Sequence, residues 1–153
     1  MLNIGDALPD GVLKSTDDTP VELSSLSGRP LVLYFYPKAD TPGCTTEAKD
    51  FSLLMPQFDA IGARVIAVSK DSPKKLARFA EKHSLGVLLG SDEGGQVVED
   101  FGAWVEKSLY GRQYMGIDRS TFLFDAEGKL VRQWRKVKVK GHAEEVLAAA
   151  RAL

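Results

Sequence analysis

The chain has 153 residues, 44% of them apolar and 27% charged, with a formal net charge of −1. That length suits one domain with a real core, and the balanced charge argues against a nucleic-acid or anionic-membrane partner. The longest apolar run, LVLYFY, is too short to span a bilayer. MLNIGDALPDG does not read as a secretory leader, having no positive stretch followed by an apolar one. A single cysteine, Cys44, excludes an internal disulfide and points to a reducing, cytoplasmic setting.

In chain order, VELSSLSGRP predicts a short strand or turn leading into Leu31–Tyr36, an apolar run of buried-strand type that Pro37 stops. From Cys44 to Ile61, the apolar residues Ala48, Phe51, Leu54, Met55 and Phe58 recur at helical steps, with a bend expected at Pro56. RVIAVS (64–69) predicts a second buried strand, and Asp71-Ser72-Pro73 opens a helix over Lys74–His83. Val87–Leu89 predicts a third strand and Gly95–Gly102 a short helix. Ser120–Phe124 and Lys129–Trp134 flank a hairpin turn at Asp125-Ala126-Glu127-Gly128, and His142–Ala152 forms a last helix. Alternating strands and helices followed by a hairpin predict an α/β sandwich around a mixed sheet.

Cys44 falls in the first turn of the first long helix. Free N–H groups and the positive end of the dipole favour a thiolate there, and Thr41 and Thr45 are candidate caps. A buried packing role for the lone cysteine is the alternative. The same stretch, Thr41-Pro42-Gly43-Cys44, has the outline of a C-x-x-C motif with its first sulfur replaced by threonine. Dithiol–disulfide exchange is thereby excluded unless a partner brings the second sulfur.

Pro37, Thr41 and Cys44 have the spacing P-x-x-x-T-x-x-C, which resembles the peroxidatic motif of the peroxiredoxins. GRQYMGIDRSTFLFD (111–125) is similar to the segment that supplies that family's active-site arginine, here Arg119. YFYPKADTPGCTTEAKDF, RVIAVSKDSP and WRKVKVKGHAEEVL resemble the bacterioferritin-comigratory, or PrxQ, subgroup, so the likeness runs from about Ile4 to Leu147. It implies a single thioredoxin-like domain over residues 1–153, with a central mixed β-sheet flanked by helices. It also implies reduction of hydrogen peroxide or organic hydroperoxides through a Cys44 sulfenic acid, with no cofactor. In that reading Cys44 is the nucleophile, Thr41 hydrogen-bonds thiolate and peroxide, Arg119 stabilises developing charge, and Pro37 packs over the site. Backbone N–H groups at Gly43 and Cys44 help hold the peroxide. Glu47, one turn on, either bridges to Arg119 or is a solvated carboxylate at the helix start.

A magnitude ranks these contributions. Lowering a thiol from pKa about 8.5 to about 6 raises its thiolate fraction at pH 7 roughly 30-fold. With a Brønsted slope of about 0.45 the nucleophilicity falls ~13-fold, leaving about a twofold gain. Polarising the O–O bond must therefore supply most of the acceleration, and Thr41 and Arg119 are the side chains expected to do so.

The chain departs from many relatives where a resolving cysteine would stand. Lys49 occupies one such position, and the other, in the next helix, falls at about Ala80. An external thiol is then the reductant: thioredoxin, glutaredoxin with glutathione, or a small thiol. A peroxide-sensing module that passes a disulfide to a partner protein is the competing function. A monomer is expected, with a dimer through a Cys44–Cys44 disulfide as the alternative. His83 and His142 are read as surface or capping groups rather than metal ligands. Trp104 and Tyr110 are expected in the core or at the pocket rim. Arg135, Lys136, Lys138 and Lys140, alternating with Val137 and Val139, predict a half-buried edge strand and no nucleic-acid surface.

Overall fold

The computed structural model describes residues 2–153. In chain order it contains β1 (Val12–Lys14), β2 (Pro20–Glu22), a 3-10 turn (Leu23–Leu26), β3 (Leu31–Phe35) and α1 (Pro42–Ala60). Next come β4 (Arg64–Ser69), α2 (Pro73–His83), β5 (Leu88–Ser91) and α3 (Gln96–Asp100). The hairpin β6 (Trp104–Leu109) and β7 (Arg112–Ile117) precedes β8 (Ser120–Phe124), β9 (Leu130–Trp134) and α4 (His142–Arg151).

Seven strands form one sheet in the order β2-β1-β5-β4-β3-β8-β9, and β6 and β7 pair separately. β3 sits between β4, which is parallel to it, and β8, which is antiparallel. Both its faces are covered, which is why LVLYFY is apolar without interruption. The two-residue period of the strand divides those side chains. Val32, Tyr34 and Tyr36 enter a core shared with α1, α2 and α4, which also holds Cys44. Leu31, Leu33 and Phe35 face the opposite core, with Val97, Val98, Phe101, Phe122 and Phe124. Among the described residues no helix is long and apolar enough to cross a membrane.

Three differences from the sequence reading have local causes. Helix α1 begins at Pro42 and runs on through Pro56. Proline suits the first helical position because it lacks only an N–H that would be free there anyway. The β6–β7 hairpin was not expected. Its tip pairs Leu109 with Arg112 around Tyr110 and Gly111, whose φ angles are +52° and +79°. A two-residue turn with both φ positive usually announces itself by Asn-Gly or Asp-Gly, and here a tyrosine takes the first place. Residues 135–140 are not a strand. Lys136 turns the chain at φ +48°, and Arg135 donates to the carbonyls of Gly102 (2.9 Å) and Phe101 (3.0 Å).

Candidate active site

The site lies where the loop after β3 enters α1. Thr41 is the N-cap residue, and its carbonyl accepts from the Thr45 N–H at 2.9 Å. Pro42 has no N–H, so the free donors of the first turn are the amides of Gly43 and Cys44. Three contacts fix the loop from outside. The Ala39 N–H donates to Asp71 Oδ2 at 2.8 Å, and Asp40 is bound by Lys82 Nζ and His83 Nε2, each at 2.8 Å.

Cys44 is 2% exposed and packs in the core of Tyr34, Tyr36, Ala48 and Phe51. Its sulfur meets one charged group. Arg119, between β7 and β8, donates through Nη2 to Cys44 Sγ at 3.3 Å and through Nη1 to Glu47 Oε1 at 2.6 Å. The guanidinium thus spans two residues one helical turn apart on α1. The Arg119 backbone is held as well, its carbonyl accepting from the Val137 N–H at 2.9 Å.

Glu47 is 1% exposed, and burial pushes its carboxyl up to about 7, with Arg119 opposing the shift. Burial alone would lower the Arg119 guanidinium, but Glu47 and Cys44 together hold it above its usual value, so it stays charged. Of the two readings of Glu47, the structure has the bridge and not the solvated carboxylate. The hydroxyls of Tyr34 and Tyr36 and Glu47 Oε2 are buried with no hydrogen-bond partner among the described residues. The Tyr34 hydroxyl is held far above its ordinary value by burial.

Other expected residues lie differently. The Thr41 hydroxyl donates to the Lys38 carbonyl at 2.8 Å and makes no bond to Cys44. It has one proton to give, and the loop carbonyl takes it. Pro37 is itself exposed, so the side chains of the α1 core are what close over the sulfur. Gly43 allows a close approach, since a Cβ there would lie 3.3 Å from Arg119 Nη2.

His142 is not a surface group. It is buried, its Nε2 lies 2.7 Å from Thr121 Oγ1, and burial lowers its pKa to about 4. His83 is mostly covered, paired with Asp40. Tyr110 is 95% exposed at the hairpin tip, in neither core nor site. Trp104 packs on the core opposite Cys44, with Lys70 Nζ 4.1 Å from its ring centre. Sequence reasoning missed Asp71, Asp40 and Val137, whose contacts reach across 18 residues or more and leave no local pattern. Asp71 alone had a signal, the helix-opening Asp-Ser-Pro.

Known proteins resemble the chain over nearly its whole length. Residues 4–133 match the model of the AhpC/TSA family. The chain is 49% identical over 146 residues to peroxiredoxin Bcp of Bacillus subtilis, covering 95% of this chain and 93% of that one. It is 45% identical over 152 residues to peroxiredoxin Bcp of Xanthomonas campestris, covering 99% and 95%. Among solved structures, the bacterioferritin comigratory protein of Xanthomonas campestris, studied for alkyl peroxide reduction, superposes with a TM-score of 0.89. It is 44% identical, covering 96% of this chain and 98% of that one. A Cys-to-Ser variant of PrxQ from Xylella fastidiosa superposes with a TM-score of 0.94 at 42% identity, covering 99% and 97%. With a thioredoxin-like mixed sheet, a cysteine in the first turn of α1 and these relatives over nearly its whole length, the chain belongs to the AhpC/TSA family as a peroxiredoxin of the Bcp/PrxQ group.

Proposed function

We propose that this peroxiredoxin reduces hydrogen peroxide and organic hydroperoxides at Cys44, and that an external thiol completes each cycle. The Cys44 thiolate attacks the terminal oxygen of the hydroperoxide. An S–O bond forms, the O–O bond breaks, and the other oxygen leaves as alkoxide or hydroxide and takes up a proton. The product is alcohol or water, and Cys44 becomes a sulfenic acid. The contact that carries this reading is Arg119 Nη2 at 3.3 Å from Cys44 Sγ, a fixed cation where negative charge starts and moves.

Each neighbour then has a role that follows from its hydrogen bonds. Glu47 keeps the guanidinium in place, so no reorientation is needed as charge shifts from sulfur to oxygen. The free amides of Gly43 and Cys44 are donors for the peroxide oxygens. The Thr41 hydroxyl, its proton committed to Lys38, offers lone pairs that accept the peroxide O–H and orient it for attack. Pro37 shapes the loop on the entry side.

The chain's one cysteine means that the sulfenic acid has no partner sulfur in the same chain. The thiol comes from thioredoxin, from glutaredoxin with glutathione, or from a small thiol of a reducing compartment such as the cytoplasm. Cys44, Arg119 and Glu47 all come from one chain, so a monomer suffices for the peroxide step. The test is peroxide turnover with each thiol system supplied separately, with intact mass read after peroxide alone. Turnover with at least one thiol and a gain of about 16 Da lost in Cys44→Ser are expected. Absence of both from the wild-type protein overturns the reading.

A further inference from the structure

The external thiol needs a place to dock, and one of the grooves outside the site just described carries charges suited to it. It lies between the loop before α1 and the exposed side of α2, with a volume of about 770 Å³. That is within the ~300–1,000 Å³ of small-molecule sites. Ala39 and Phe79 line it on the apolar side. Phe79 belongs to the same buried core as Cys44, and the Phe79 and Tyr36 ring centres are 6.2 Å apart. Ala39 and Asp40, which wall the groove, belong to the loop that leads directly into the helix carrying Cys44.

The charges in the groove divide into used and unused. Lys82 is paired with Asp40. Lys75, Arg78 and Glu81 line the same groove, are exposed, and form no ion pair among the described residues. Two free cations and one free carboxylate are the complement of a molecule with two carboxylates and one ammonium. Asp40, at φ +63°, is both a wall of the groove and the residue that ties the loop to α2. A thiol held here waits beside the segment that must open before the 2%-exposed sulfur can be reached.

Resting on the peroxidase reading above, we propose that this groove docks the resolving thiol, a small peptide-like thiol with two carboxylates and one ammonium, as in glutathione, held by Lys75, Arg78 and Glu81. Its sulfur attacks the Cys44 sulfenic acid. An S–S bond forms, the S–O bond breaks, and the hydroxyl leaves as water with the thiol's proton. A second thiol molecule attacks the mixed disulfide, frees Cys44 as the thiol and departs as the symmetric disulfide. The two thiols supply the two electrons that the peroxide removed.

The test is steady-state turnover of the full chain with glutathione, with uncharged dithiothreitol and with cationic cysteamine, for wild type and for Lys75→Glu/Arg78→Glu. The charge reversal is expected to raise the KM for glutathione about tenfold, leave that for dithiothreitol within about twofold, and lower that for cysteamine. The wild-type KM for glutathione should also rise with salt. An unchanged glutathione KM in the variant, or an equal loss with dithiothreitol, overturns the proposal. Wild-type turnover with dithiothreitol or thioredoxin but not with glutathione overturns it too, and leaves the peroxidase reading standing. If none of the thiols supports turnover by the wild type and peroxide adds no oxygen to Cys44, the peroxidase reading itself has failed.

Discussion

Glu47 meets Arg119 through one oxygen only. Oε1 lies 2.6 Å from Nη1, while Oε2 is buried without a partner among the described residues. The carboxylate thus gains one strong ion pair and loses the hydration of its other oxygen, and burial raises its pKa from 4.5 to about 7. A carboxyl that holds its proton more tightly when folded stabilises the fold below about pH 4.5. That contribution is lost as pH rises through 7. Glu47→Gln should therefore gain on the wild type by up to about 3 kcal/mol between pH 4.5 and 8. Urea unfolding at several pH values checks this; a stability difference that does not vary with pH would be the contrary result.

Removing the other partner has a different signature. Arg119→Ala leaves a buried carboxylate unpaired, at a cost of about 3–5 kcal/mol. Glu47→Gln/Arg119→Ala should recover part of that loss. The peroxide reaction, followed by stopped flow, should slow about 10²–10³-fold in both variants. The thiolate fraction, read by ultraviolet absorbance, should account for only a small part of the slowing. If the rate simply tracked that fraction, Arg119 would act on sulfur alone and not on the peroxide.

Gly43→Ala probes the same guanidinium from the helix side. The new methyl would sit 3.3 Å from Arg119 Nη2, an atom already bound by Cys44, with the neighbouring Nη1 held by Glu47. The exposed backbone there keeps helical φ, so the fold should tolerate alanine. Arg119 must give way by a few tenths of an ångström, and the peroxide rate should fall about tenfold with Tm nearly unchanged. A Tm loss with the rate intact would mean that Gly43 matters to the helix and not to the site.

Thr41 separates two roles of one hydroxyl. Thr41→Ser keeps the bond to the Lys38 carbonyl and the lone pairs, and should retain most of the rate. Thr41→Val keeps the shape, loses both, and should cost about 10²-fold in the peroxide step. Equal rates in the two variants would remove Thr41 from the chemistry.

His142 has the opposite linkage to Glu47. Its folded pKa, lowered to about 4 by burial, lies below its ordinary 6.5. The stability it contributes is present above about 6.5 and is lost as pH falls toward 4. His142→Gln should be less stable at pH 7, by about 1 kcal/mol for the lost bond to Thr121, and should lose less on acidification. A steeper acid limb in the variant would contradict this.

Much of the architecture was legible because its signals were local. β3, α1, β4, α2 and the β8–β9 turn each carry their own period, proline or glycine. The start of α1 near Cys44 and the bridge from Glu47 to Arg119 were legible too, from the Pro-Gly-Cys turn and the segment around Arg119. What escaped depends on partners distant in sequence. Thr41 was assigned to the sulfur, yet the loop carbonyl of Lys38 competes for its only proton. His142 looked like a helix-start surface group because nothing near it in sequence shows Thr121 waiting on β8. The basic stretch 135–140 alternates like a strand, but Arg135 spends its guanidinium on the end of α3 and Lys136 turns the backbone.

The burial of Cys44 within the first turn of α1 also sets a clock for the proposed cycle. In that cycle the peroxide is the smaller of the two reactants that must reach this 2%-exposed sulfur, and the thiol needs the turn to open. Until it does, the sulfenic acid remains within reach of a second peroxide, which would carry it to the sulfinic acid. The lifetime of the catalyst is then decided by a race between helix opening with thiol arrival and the next oxidant, so the ratio of thiol to peroxide around the protein governs how many cycles it survives.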